Sequence, residues 1–124
     1  MPNPVVHFEV QSNDAEKSKA FFREVFGWNI SDAPMPGGMT YGVVDTQTES
    51  GINGGIGPSF TDETCVAFYI EVDDLQAYLD KAVAAGGQVL MPVTVIPGAV
   101  TMAFFSDPAG AAVGLVASET PPAE

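Results

Sequence analysis

Basic residues are scarce in this chain. Four lysines and arginines stand against sixteen acidic residues among 124, a formal net charge of −12. A surface of that sign repels a polyphosphate backbone, so nucleic acid is excluded as a partner. Cysteine occurs once, as Cys65, which excludes an intrachain disulfide and implies no oxidising compartment. At the head of an apolar strand, Cys65 is expected to be a small buried residue rather than a nucleophile. The leading Met1-Pro2-Asn3-Pro4 has no basic region, and no apolar run follows that would serve export or membrane insertion. A soluble cytoplasmic protein with no membrane partner is expected.

What is present is a packed globule. Hydrophobic residues make up 46% and charged ones 16%, a balance that argues against disorder. The length suits one compact domain over residues 1–124, with only Ser118 to Glu124 reading as a frayed end. The organising stretch is Pro4-Val5-Val6-His7-Phe8-Glu9-Val10, whose pattern returns in Cys65-Val66-Ala67-Phe68-Tyr69-Ile70-Glu71-Val72. With Glu9-Val10 laid on Glu71-Val72, His7 falls on Tyr69. Val6, Phe8 and Val10 alternate with Val5, His7 and Glu9, the period of a strand with one apolar face. His7 and Glu9 then share the other face, their Cα atoms about 6.5–7 Å apart.

Each copy leads into a helix. Asn13 or Asp14 caps the first, which runs to about Phe26 with Ala15, Ser18, Phe22, Val25 and Phe26 as its inward stripe and Gly27 as C-cap. Asp73 is expected to cap the second, with Gln76 three residues on, an inward stripe of Leu75, Leu79, Ala82 and Val83, and Gly86-Gly87 closing it. After the first helix come a strand from Trp28 to Ile30, a connection over Ser31–Gly38, a strand over Met39–Val44, and a glycine-rich strand over Gly51–Gly57. Glycines there mark a bulge, a close approach of a ligand to the backbone, or a plain connection. Pro58 to Thr64 links the halves. After the second helix come a strand from Gln88 to Met91, a connection over Pro92–Gly98, a strand over Val100–Ser106, the turn Asp107-Pro108-Ala109-Gly110 and a strand over Ala111–Ala117. The fold class is α+β: two tandem βαβββ units, about 4–58 and 65–117.

These words in this order resemble the vicinal oxygen chelate superfamily of glyoxalases, bleomycin-resistance proteins and extradiol dioxygenases. The stretches that carry the resemblance are His7-Phe8-Glu9-Val10, Ala20-Phe21-Phe22 to Phe26-Gly27-Trp28, Gly54-Gly55-Ile56, Glu71-Val72-Asp73-Asp74-Leu75, and Asp107-Pro108-Ala109-Gly110 to Gly114-Leu115. The resemblance implies mixed sheets curled around a shared cavity, and a divalent metal held from the first and last strand of each unit. The matching places are His7 and Tyr69, then Ile52 to Gly54 and Gly114. His7 is the one candidate metal ligand among them. A catalytic zinc takes three protein ligands and a common non-haem iron site takes two histidines and a carboxylate. A chain with one histidine, and with glycine at a ligand place, is therefore expected to lack the usual metal.

His7, Glu9, Tyr69 and Glu71 form the expected catalytic cluster, a base, a phenol and two carboxylates suited to proton abstraction beside a carbonyl. Trp28, Tyr41, Asn53 and Phe104 are the expected ligand contacts, the aromatics as flat walls that grip small molecules. Adjacent Phe104 and Phe105 point to opposite faces of their strand, so at most one of them lines a cavity. The resemblance implies a lyase or isomerase acting on a small carbonyl compound. The competing reading is a drug-sequestering binding protein that holds a cationic, partly apolar ligand unchanged, and a third is a regulatory module whose cavity is filled by its own side chains. The resemblance also implies a homodimer, which would bury sheet edges.

Overall fold

The structure is a computed structural model that describes residues 3–59, 63–96 and 100–117. In chain order it contains β1 Val5–Ser12, α1 Ala15–Phe26, β2 Asn29–Pro34, a 3-10 turn Pro36–Gly38, β3 Thr40–Asp45, β4 Gly54–Pro58, β5 Cys65–Val72, α2 Leu75–Ala84, β6 Gln88–Val95, β7 Thr101–Ser106 and β8 Ala112–Ala117. The α+β class and the doubled βαβββ order are those read from the sequence. The expected frayed end from Ser118 lies outside the described residues, as do the middle of the Pro58–Thr64 linker and the end of the Pro92–Gly98 connection.

Two compact units divide the chain. Val6–Phe68 forms the first, and the residues up to Val5 join those from Tyr69 onward in the second. The opening residues belong to the second because Pro4 O accepts a hydrogen bond from Glu71 N at 3.0 Å and Asn3 Nδ2 donates to the Tyr78 hydroxyl at 3.2 Å.

In the first unit the strands run in the order β2-β3-β4-β1, with β1 and β4 parallel and the other pairs antiparallel. Alternation along β1 sends Val10 into a core with Ile30, Val44 and Ile56, against which Phe8, Phe22 and Trp28 pack. The strand continues two residues beyond Val10, so Gln11 joins His7 and Glu9 on the opposite face. Asp14 caps α1 by accepting from Lys17 N, and Gly27 ends it at a positive φ of 69°, donating to Arg23 O.

The inward stripe of α1 differs from expectation. Val25 and Phe26 are exposed, while Lys19 is completely covered. Its ammonium donates to Asp32 at 2.8 Å, Glu16 at 2.7 Å and Thr40 at 3.3 Å. Gly42 makes room for the lysine stem, since a Cβ there would stand 2.9 Å from Lys19 Cε. Asp32 lies in β2, which runs to Pro34 through the segment expected to be a connection. Each of its residues has a β3 partner, from Asn29 with Asp45 to Pro34 with Thr40. Proline is tolerated at Pro34 because β2 is the outer strand.

In the second unit the order is β5-β8-β7-β6, with β5 and β8 parallel. Val72, Leu75, Leu79, Ala103 and Leu115 form its core. Burial of a leucine such as Leu79 contributes about 1.5–3 kcal/mol. Asp74, rather than Asp73, caps α2 by accepting from Ala77 N. Val83, assigned to its inward stripe, is exposed. Asp107 builds the β7–β8 turn as the sequence implies, its carboxylate accepting from Ala109 N and Ala111 N with Gly110 at φ 101°. The segment from Pro92 is not a connection at first. β6 runs on to Val95, shifting register between Val89 and Met91 and again before Thr94, and this irregular outer strand accommodates the proline.

Candidate functional site

The polar face of β1 carries a continuous hydrogen-bonded row within the first unit. His7, Glu9 and Gln11 stand at alternate positions and therefore on one face. Beside them runs β4, with Gly55 opposite Glu9 and Gly57 opposite Gln11. Neither glycine projects a side chain, and Tyr41 from β3 lies across the bare backbone. A Cβ on Gly55 would overlap the Tyr41 hydroxyl, and one on Gly57 would stand 2.7 Å from Tyr41 Cδ1. The ring thereby reaches β1 from two strands away.

Its hydroxyl donates to Glu9 Oε2 at 2.8 Å and lies 2.9 Å from His7 Nε2. Gln11 Nε2 donates to the other carboxylate oxygen at 2.9 Å, and Cys65 Sγ donates to Gln11 Oε1 at 3.2 Å. With Glu9 as a carboxylate, an acceptor only, Tyr41 gives its single proton to Glu9 and accepts from His7 Nε2–H. The imidazole lone pair then resides on Nδ1. The row converges on Glu9, which is 6% exposed, while Gln11 is 5% exposed and His7 partly open.

Electrostatics sharpen these roles. Burial is the largest influence on His7 and holds it below its ordinary value, with the Glu9 charge pulling the other way and losing. Burial first, and then the charge and hydrogen bond of Glu9, push the Tyr41 phenol far above its ordinary range. At neutral pH the face therefore presents a neutral imidazole and a permanently protonated phenol.

Trp28 and Asn53, in the same unit, do not join this row. Trp28 stacks on Phe22, with ring centroids 5.2 Å apart, and also meets Phe8 and Phe26. It stands on the helix side of β1, away from His7 and Glu9. Asn53 serves the β3–β4 loop, its Oδ1 accepting from Thr46 N and Thr46 Oγ1. Tyr69 and Phe104 belong to the second unit, where they are buried edge to face at 5.1 Å. Tyr69 lies opposite Gly114 in the β5–β8 register, and a Cβ at 114 would overlap its ring. Glu71 is half-buried in the same unit.

Two residues of the row were missed in the sequence. Gln11 was legible as the next alternate position after Glu9. Cys65 is exposed rather than buried, and nothing in its neighbourhood of the chain signals the contact with Gln11.

The donor set does not fit the metal of the superfamily. Among the described residues no three His, Cys, Asp or Glu side chains gather so as to hold an ion. His7 Nε2 and both oxygens of Glu9 are engaged with Tyr41 and Gln11. The place at 114 has no side chain, and Tyr69 packs its ring over it.

Two βαβββ units with this polar first strand define an α+β protein of the glyoxalase type. The chain belongs to the Glyoxalase/Bleomycin resistance protein/Dioxygenase superfamily, whose pattern matches residues 5–115. It is 38% identical over 117 residues to "Putative glyoxylase CFP32" of Mycobacterium tuberculosis, covering 86% of this chain and 42% of that protein. It is 29% identical over 125 residues to "Anthracycline biosynthesis protein DnrV" of Streptomyces peucetius, covering 90% of this chain and 46% of that one. The chain thus spans less than half the length of these relatives. Methylmalonyl-CoA epimerase from Mycobacterium tuberculosis shares the fold with a TM-score of 0.67 at 11% identity, over 94% of this chain and 88% of that one. The protein BH1468 of Bacillus halodurans shares it with a TM-score of 0.70 at 12% identity over the whole of both chains. Among the described residues no helix is long and apolar enough to cross a membrane.

Proposed function

We propose that this chain is a glyoxalase-type lyase or isomerase that moves a proton on the carbon beside a carbonyl of a small molecule, without the superfamily's metal. The observation that carries this reading is the His7–Tyr41–Glu9 row. His7 is the proton acceptor: the C–H proton passes to Nδ1 and its electron pair moves into the carbonyl, giving an enolate, or an enediolate where that carbon bears a hydroxyl, to which the imidazolium Nδ1–H returns a proton. Tyr41 and Glu9 are positioning residues that fix the tautomer, since Tyr41 takes Nε2–H and holds the lone pair on Nδ1. A lowered pKa keeps the imidazole in its basic form at neutral pH. The exposed α1 side chains Phe21, Val25 and Phe26 support a homodimer.

A second reading, ligand sequestration without turnover, draws on the coverage of Glu9 and Gln11 behind Tyr41, which leaves little carboxylate to reach a substrate. Proton exchange separates the two. Small α-hydroxycarbonyl compounds and α-oxoaldehyde adducts are incubated with the protein in D2O, and loss of the C–H signal is followed by NMR. The enzyme reading expects exchange that disappears in His7→Ala while circular dichroism is unchanged. Exchange that persists in His7→Ala overturns the role of His7, and saturable binding without exchange establishes sequestration.

A further inference from the structure

The second unit has a cavity of about 440 Å³, broadly open to solvent, where α2 meets the helix-facing side of its sheet. Its floor is apolar, made by Ile70, Val72, Phe105 and Leu115. Its other wall is one face of α2, where Tyr78, Lys81 and Ala82 stand at i, i+3 and i+4. The size is within the range of small-ligand sites, and so is the composition, an apolar body with a few polar groups at one side.

Lys81 sets the chemistry. Among the described residues it is the only charged one lining the cavity, and no acid lines it. Its ammonium sits 4.5 Å from the centroid of the Tyr78 ring, an arrangement that holds the cation at the rim. The Tyr78 hydroxyl is in turn fixed by Asn3 Nδ2. Among the described residues no carboxylate lies within ion-pair distance of Lys81, whereas Lys17 and Lys19 both have acidic partners. Lys81 is exposed, and in a chain of net charge −12 it sets a positive group beside an apolar surface, where a charge-assisted contact with an anion is open to it.

We propose that this cavity binds an amphipathic monocarboxylate, its apolar body on Ile70, Val72, Phe105 and Leu115 and its carboxylate at Lys81. The site is separate in residues from the His7–Tyr41–Glu9 row and does not depend on the activity proposed for it.

The test is isothermal titration of the whole chain with octanoate, and with 1-octanol as an uncharged probe of equal length. One saturable octanoate site per chain is expected. Lys81→Met, which keeps the stem and removes the charge, weakens octanoate about tenfold and leaves 1-octanol unchanged, the weight of one charge-assisted contact. Ala82→Phe, with its helix content checked by circular dichroism, fills the cavity and abolishes binding of both probes. His7→Ala leaves both unchanged. Absence of saturable octanoate binding, equal affinity in Lys81→Met, or undiminished binding in a folded Ala82→Phe overturns the proposal.

Discussion

Tyr41 occupies the space that a side chain at Gly55 would need. The glycine is therefore a condition for the hydrogen bonds that Tyr41 makes with His7 and Glu9 on the neighbouring strand. Gly55→Ala should displace the ring and cost about 2–4 kcal/mol, from overpacking and from the donor withdrawn from buried Glu9. Gly51, whose nearest neighbour to a new Cβ is Thr48 Cγ2 at 3.8 Å, is the control, and Gly51→Ala should stay within about 0.5 kcal/mol of the parent. Urea denaturation of the two variants checks the contrast.

His7 gives the protein a signature on acidification. Its folded pKa lies below the ordinary 6.5 because burial disfavours the imidazolium. Above 6.5 both the folded and the unfolded chain hold a neutral imidazole, and His7 contributes no pH dependence. As the pH falls through 6.5 the unfolded chain binds the proton first, so stability drops until the folded pKa is passed, and then levels. His7→Gln should lack this component. The difference in unfolding free energy between parent and variant, measured from pH 7.5 down to pH 4.5, should change in the parent's disfavour below 6.5.

Lys19 anchors α1 to β2 by a covered ammonium. Burial opposes its charge, but hydrogen bonds to Asp32 and Glu16 outweigh that and raise its pKa, while the same contact lowers that of Asp32. The acids are 73% exposed at Glu16 and 46% at Asp32, so they can be rehydrated when the lysine is lost. Lys19→Met should therefore be the milder variant, and Lys19→Ala should fall below it by about 2–3 kcal/mol through the cavity left by the stem. Thermal melts of both, with Lys17→Ala as an exposed control that changes little, provide the comparison.

The part of the fold legible in the sequence was the part written in alternation and punctuation. The period of two through Val6, Phe8 and Val10 named the helix-facing side of β1, and Gly27 and Asp107-Pro108-Ala109-Gly110 marked chain reversals that the structure retains. Prolines misled where strands lie outermost. Pro34 and Pro92 read as connections because a proline lacks a ladder donor, yet an outer strand has a side on which none is needed. At the polar face the sequence showed His7 and Glu9 together, but not what joins them. Gly55 and Gly57 suggested a close approach to the backbone, and the approaching group is the chain's own Tyr41. That pairing depends on β3 lying beside β4, a long-range fact that local periodicity does not carry. Trp28 was misplaced for a related reason: an aromatic at the foot of a strand can serve either face, and only the stack with Phe22 decides which.

The two prolines also bear on how the protein behaves in a crowded solution. β2 and β6 end the strand orders of their units, and such terminal strands are where a foreign chain could add itself and begin a fibril. Pro34 withholds a donor at the end of one, and Pro92 with two register shifts breaks the other, whose Val89, Leu90, Val93 and Val95 would otherwise offer an inviting apolar template. Replacing Pro92 would leave the native ladder with β7 intact, and the change would be felt outside the molecule, as polymerisation.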